Sequence, residues 1–572
     1  MKKPKSQASR VGLTILSATL ILAGCAIHGP RIKEGQPVKG AVGKVQSLSQ
    51  GWRQEGQQLF YFTTQGSQLL PYDWFLALEQ PGSTNLFRSD ENMDRLGWLL
   101  SRPTQLNPDA LPVGFVKDVD DETKRSYLGL TCAACHTGQI KYREVTLRID
   151  GGPTMADADG FITGLTRAME ETLGTQDKFD RFAHAVLRDK YNEAAVRKLR
   201  LELKSVAGYL DARAERNSPH PPYGHGRLDA FGNILNEVLA YALNIQTNAR
   251  PADAPVSYPF LWDTPQSDRV QWNGVAQNHP QGVPPGLGPL GRNVGEVLGV
   301  FGKFEIQPTV IPTGYRSSVK MVNLGHLERW VAGLWSPQWP EKFLPGLDMA
   351  KVKRGEAIYN RPDANQNSCA TCHEVIIRDD PKRRFNVKIT PLEIVGTDPA
   401  MASNFVSRVA ATGRLEGKPI GGLFDPKVFG KTASGGVILN SVGGGVILHK
   451  PLEAALGAFE GDVHAFDDPS ESLLAYKARP LNGIWATAPY LHNGSVPNLW
   501  ELLKPPGDRM KSFYIGSREF DPVNVGFVTI QYDDRAMPMD ITLPGNSNAG
   551  HTWGTELTDA EKRDLIEYLK SL

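Results

Sequence analysis

Two short segments constrain this chain more than anything else in it: Thr131-Cys132-Ala-Ala-Cys135-His136 and Ser368-Cys369-Ala-Thr-Cys372-His373. The chain has five cysteines, and these two pairs take four of them. In a Cys-x-x-Cys-His segment the two thiols add across the vinyl groups of a haem, and the following imidazole is thereby set against the iron as its proximal ligand. Other uses of paired cysteines fit worse. A disulfide needs no histidine after it, a thioredoxin-like redox pair does not normally occur twice with a histidine both times, and a four-thiolate zinc site rarely draws its halves from pairs so distant in sequence. The expectation is two haem c groups, attached through Cys132 and Cys135 and through Cys369 and Cys372, with His136 and His373 as proximal iron ligands.

The fifth cysteine, Cys25, has a different setting. Lys2, Lys3, Lys5 and Arg10 precede an apolar run from Val11 to Ala23 that is too short to span a bilayer comfortably, and the run ends in Leu22-Ala23-Gly24-Cys25. This reads as a lipoprotein signal peptide over residues 1–24, with Cys25 lipidated. The next residue is Ala26 rather than Asp, which in such signals implies sorting to the outer membrane. The expected location is therefore the periplasm-facing side of that membrane, held by a lipid anchor. Attachment of c-type haem takes place outside the cytoplasmic membrane, in agreement. Lys and Arg number 63 against 62 for Asp and Glu, so no net field draws the chain to nucleic acid, and no nucleic-acid partner is expected.

The 57 glycines and 41 prolines point to long irregular connections over a modest regular scaffold. The reading is mainly α: two cytochrome c-like haem domains with long loops and a small β-hairpin insertion. An N-terminal haem domain covers 25–345, with helical patterns between 157 and 248. A C-terminal cytochrome c domain covers 346–572. In the latter, Val352, Gly355 and Tyr359 fall on one face of a leading helix. Thr558 and Glu561 have capping-box spacing at the start of a closing helix striped with Leu565, Leu569 and Leu572. First and last helices are expected to cross. Gly435-Gly-Val-Ile-Leu439 and Gly444-Gly-Val-Ile-Leu448 are apolar β-branched runs about a glycine-containing loop, which predicts a hairpin. The Trp330, Trp335 and Trp339 cluster before Pro345 reads as interface core.

The segment Gly483-Ile-Trp485-Ala-Thr-Ala-Pro489-Tyr490-Leu-His492-Asn493-Gly494 resembles the di-haem cytochrome c peroxidase superfamily, and the order haem motif, long insert, haem motif, then this segment matches too. The stretches Arg518 to Phe527 and Asn546 to His551 look most like its rubber-oxygenase members. The resemblance implies that one haem, assigned by analogy to His136, reacts with hydrogen peroxide or dioxygen. The other, at His373, would pass electrons from a small redox protein or a quinol-linked donor. It implies also that the two irons differ in their sixth ligand. For the second haem His551 is the candidate, with His492 and Met510 as alternatives. Trp262 and Trp272 are candidates for an aromatic electron relay. Calcium is a further cofactor in several relatives, with no EF-hand spacing here to assign its ligands. His220 and His225 lie in a loop from which they could approach the open iron face. Two other activities remain open: electron carriage without catalysis, and dioxygenase cleavage of an apolar polyene.

Overall fold

The computed structural model describes residues 45–217, 219, 221–280, 283–284, 286–307, 314–363, 366–420, 427–460, 474–531 and 535–572. The expected signal peptide 1–24, Cys25 and His220 lie outside the described residues.

The N-terminal half is organised around two small sheets that hold the first cysteine pair between them. Val45–Ser47 (β1), Leu70–Pro71 (β2), Phe115–Val119 (β3), Ser126–Leu130 (β4), Thr137–Tyr142 (β5) and Val145–Asp150 (β6) are the strands. They form an antiparallel sheet in the order β2-β4-β3 and a second sheet in the order β1-β6-β5, where β1 runs parallel to β6. The single-turn helix Cys132–Cys135 (α1) joins β4 to β5, so both ends of the haem motif are fixed by strand ladders. Ile140, Leu147 and Ile149 alternate inward and are buried, as half-buried strands require.

Three helices cover the first sheet. In Ala158–Gly174 (α2), Phe161, Leu165, Ala168 and Met169 recur at helical spacing, and the Asp157 side chain caps the N-terminus by accepting from the Gly160 amide. Gln176–Leu187 (α3) and Glu193–Asn217 (α4) contribute Phe179, Phe182, Leu199, Leu203 and Leu210 to one core with Trp74, Phe75, Phe87, Trp98 and Phe115. Each such fully buried side chain contributes about 1.5–3 kcal/mol relative to exposure.

A second core gathers Leu287–Gly299 (α5) and Met321–Ala332 (α6) with Gly435–His449 (α9) and Pro451–Glu460 (α10). The numbers α7 and α8 belong to Met349–Asn360 and the second cysteine turn, Cys369–Cys372. Thus residues on both sides of position 345 share one core. The hairpin expected across residues 435–448 is corrected to one continuous helix. Ile438, Val442, Gly445 and Val446 are buried, a spacing of four, three and one that belongs to a 3.6-residue period. The strand reading weighed β-branched composition, and packing against α5 overrode it. Gly445 is required there, since a Cβ would stand 2.4 Å from the Tyr315 ring.

The closing helix Asp559–Ser571 (α11) crosses α7 where Gly355 meets it: a Cβ on Gly355 would lie 2.1 Å from the Asp564 carbonyl oxygen. Both halves of the Thr558/Glu561 capping box are formed. Trp339 is buried in the same core and meets Trp485 edge-on with centroids 5.3 Å apart. The expectation of a mainly α chain is corrected to a mixed α and β one with a cytochrome c-like C-terminal region. The many loops fasten to one another through two-stranded pairings such as Lys388–Pro391 (β7) with Ala475–Ala478 (β8), which are too short to give an alternation signal.

Candidate functional site

Each Cys-x-x-Cys turn begins at a side-chain cap. Thr131 accepts from the Ala133 amide, and Ser368 and Thr371 close a reciprocal capping box. Each turn borders its own cavity. Cys135 and His136 line one of about 710 Å³, and Cys369, Cys372 and His373 line another of about 230 Å³. The four thiols are free, and no group of three or more His, Cys, Asp or Glu among the described residues could hold a metal ion. A shared zinc site is thereby excluded for the described residues. Cys132 faces partly into the core, its Sγ 3.2 Å from Gln65 Oε1.

The two histidines are held alike. His136 Nδ1 donates to the Pro259 carbonyl at 2.7 Å, and His373 Nδ1 donates to the Arg479 carbonyl at 2.6 Å. With Nδ1–H engaged, the basic Nε2 is left for a metal. Burial holds His136 down to about 4 and lowers His373 as well, so both rings are neutral at pH 7. These donor sets fit covalently attached haem: two thiols on one turn, a neutral oriented imidazole, and mostly apolar walls beside it.

Close to His373 lies His551. Their ring centroids are 6.3 Å apart. Metal–imidazole bonds are about 2 Å and a ring centroid lies roughly 1 Å behind its nitrogen, so two imidazoles ligating one ion from opposite sides have centroids roughly 6 Å apart. His551 Nδ1 is buried with no hydrogen-bond partner, and burial lowers the ring's pKa to about 4, with the neighbouring His373 contributing. His551 has φ +46° and follows Gly550, whose Cβ would fall 2.2 Å from the Gly396 backbone. Arg509 clamps this turn, donating to the carbonyls of Asn548, Gly550 and His551.

The alternatives are placed elsewhere. His492 lines the second cavity but stacks on Tyr476 with centroids 4.0 Å apart, and burial lowers it to about 3. Met510 packs with Met155, Phe513, Ile515 and Met539, outside the cavity wall. As a sixth-ligand candidate it is set aside: the chain turns so that Arg509 beside it, and not its thioether, serves the His551 loop. His225 is buried, with Nδ1 2.9 Å from the Met155 carbonyl and its ring against Gly516, where a Cβ would come within 2.7 Å of it.

Of the two tryptophans, Trp272 lines both cavities, as do Ser257 and Tyr258, and its indole donates to the Ser257 carbonyl at 2.8 Å. Trp262 lines neither. It is fully buried, stacked on Phe260 at 4.6 Å, and donates to the Asn482 carbonyl at 2.9 Å.

The first cavity has one wall made of bare backbone. Gly291 and Gly295 of α5 and Gly443 and Gly444 of α9 line it, and a Cβ on any of them would meet nothing within 4 Å. Among the described residues lining this cavity His136 is the single histidine, and none is methionine. Sequence reasoning missed Arg479, Arg509 and this glycine wall. Isolated buried arginines leave no pattern, but glycines at 288, 291, 295 and 299 have helical spacing that was open to notice.

Residues 475–514 match the family described as "RoxA-like, cytochrome c-like"; they carry Arg479, His492 and Arg509. Over 597 aligned positions the chain is 32% identical to "Uncharacterized protein y4iJ" of Sinorhizobium fredii (strain NBRC 101917 / NGR234), covering 93% of this chain and 94% of that protein. "Uncharacterized protein y4iM" of the same organism is 26% identical over 376 positions, covering 61% of this chain and 72% of that protein.

Proposed function

Since the chain belongs to the same family as y4iJ of Sinorhizobium fredii and carries a RoxA-like, cytochrome c-like segment, we propose that it is a di-haem c-type oxidoreductase. It reduces hydrogen peroxide or activates dioxygen at the first site and takes electrons through the second. Haems bound here would supply one-electron transfer and, where an iron has an exchangeable position, chemistry on peroxide or dioxygen. The observation that carries this reading is the asymmetry of the pockets: the His551 ring lies 6.3 Å from that of His373, while among the described residues no second histidine and no methionine lines the cavity beside His136.

The residues divide the work accordingly. Pro259 and Arg479 hold the two proximal rings in the tautomer that presents Nε2. His551, pinned by Arg509, closes the second site against outside ligands. Trp272, bordering both cavities, is the aromatic relay. The apolar lining of the first cavity would keep water from a haem held by Cys135 and His136. The electron donor is a small redox protein or a quinol-linked carrier, and Cys25 anchors the protein by lipid on the periplasmic side of the outer membrane. No described helix is long and apolar enough to cross a membrane.

The test is an optical and EPR titration of the matured protein with cyanide or carbon monoxide at each redox state. One haem that binds the added ligand and one that does not is the expected result; two closed low-spin haems after half-reduction would leave an electron carrier. A second reading, oxygenation of an apolar polyene, is favoured by the glycine-walled apolar cavity, whose volume is within the range of small-molecule sites. Product analysis after incubation with an isoprenoid and dioxygen separates the two, since cleavage to carbonyl fragments belongs to the second reading alone.

A further inference from the structure

We propose that Arg479 is the chain's own cation between the two haem pockets, a positioning residue whose charge sets the reduction potentials of both irons together. This rests on the di-haem reading above.

Arg479 follows β8, lines the second cavity, and reaches the first site through the segment that holds His136. Its carbonyl accepts the Nδ1–H of His373 at 2.6 Å. Its guanidinium turns to the other strand of the chain, where Nη1 donates to the Phe260 carbonyl at 2.9 Å and Nη2 to the Trp262 carbonyl at 3.0 Å. The same group lies on the Phe260 ring, with Cζ 3.5 Å from the centroid. Pro259, one residue before, accepts the Nδ1–H of His136 at 2.7 Å. Between the two proximal imidazoles there is thus one peptide segment and one arginine, joined throughout by bonds and hydrogen bonds.

Its charge is only partly answered. Arg479 is buried, and the nearest acid that attracts it is Asp263. That carboxylate is already held by Arg383 Nε at 2.5 Å. Lys477, two residues earlier, lines the second cavity and donates to the Arg269 carbonyl at 3.2 Å, but burial and Arg479 push its pKa well down, which leaves Arg479 as the cation of this ground. Calcium asks for six to eight oxygens with several carboxylates among them. The ground around Arg479 offers guanidinium groups and one carboxylate, Asp263, already paired with Arg383, and calcium does not fit beside them. A positive charge buried in a medium of low polarisability favours the reduced, less positive iron, and favours it at both sites because His373 bonds the Arg479 carbonyl and His136 bonds the peptide segment that the Arg479 guanidinium holds.

The experiment is spectroelectrochemical titration of the matured protein, after its haem content has been measured. In Arg479→Gln both haems are expected to shift toward the oxidised form by about tenfold at fixed potential, which is 59 mV for one electron. Arg479→Lys keeps the charge and is expected to stay within about threefold of the parent, less than 30 mV. Chelation by EDTA is expected to change neither potential. Arg479→Gln with two haems and an unchanged midpoint at either of them overturns the proposal, as does an EDTA-induced shift that calcium reverses. Where Arg479→Gln fails to accumulate, the lysine variant decides: a tenfold shift at both haems overturns the claim that charge matters. A parent protein without two haems refutes the di-haem reading instead, and is seen before any potential is measured.

Discussion

The two haem-motif pockets start from the same local device and end as different sites. In each, a capped single turn presents two cysteines and a histidine whose Nδ1 is tied to a carbonyl. Around His373 the chain then brings a second imidazole to 6.3 Å, on a turn clamped by Arg509. Around His136 it brings two helices whose facing positions are glycine. The same local turn is therefore compatible with different surroundings. What differs is whether the wall beside it carries a second imidazole or bare backbone.

The largest effect is expected from breaking one attachment. Replacing Cys132 and Cys135 by Ser should halve the haem content and abolish peroxide or dioxygen turnover, while the same change at Cys369 and Cys372 should leave the first haem able to bind cyanide. Pyridine haemochrome assay and mass spectrometry read the stoichiometry. If turnover survives without the first haem, the division of roles drawn above is reversed.

Next in size is His551→Ala, which should convert the second haem from closed to ligand-binding and erase the difference between the sites. A high-spin EPR signal and cyanide binding by two haems instead of one are the readout. An unchanged low-spin spectrum would mean that another side chain closes that iron. Arg509→Met should give the same change in part, since the carbonyls it holds would be freed and the His551 turn loosened.

Two glycine variants test the walls. Gly355→Ala drives a methyl group toward the Asp564 carbonyl and should cost about 1–3 kcal/mol, seen as a lower denaturation midpoint. Gly295→Ala points its methyl group into open space within a helix and should be neutral or stabilising by up to about 1 kcal/mol. Equal destabilisation by both would show that the first cavity is not open at that wall. The smallest effect concerns acid. Burial depresses His492 from 6.5 to about 3, so the folded state binds fewer protons than the unfolded one between those values. Its contribution is full above pH 6.5 and is lost as pH falls toward 3. His492→Phe, which keeps a ring on Tyr476, should flatten that part of the stability curve in urea titrations and leave pH 7 stability within about 1.5 kcal/mol.

Local features were legible before any fold was known. The cysteine pairs and their histidines could be read directly, because attachment chemistry fixes their spacing, and so could the crossing of residues 349–360 with 559–571, because a small residue at 355 and a capping box at 558 and 561 announce it. His551 was legible as a candidate only through a resemblance, and nothing in its neighbourhood gave the 6.3 Å approach to His373. Tertiary structure alone decided that residues 435–449 are helix and not hairpin, that Trp272 and not Trp262 borders both cavities, that Met510 turns away while Arg509 clamps, and that Arg479 joins the proximal histidines. The physical reason is common to all four. Each outcome depends on partners far away in sequence, and a side chain's role there follows from which surface the rest of the chain lays against it, a quantity that no local spacing encodes.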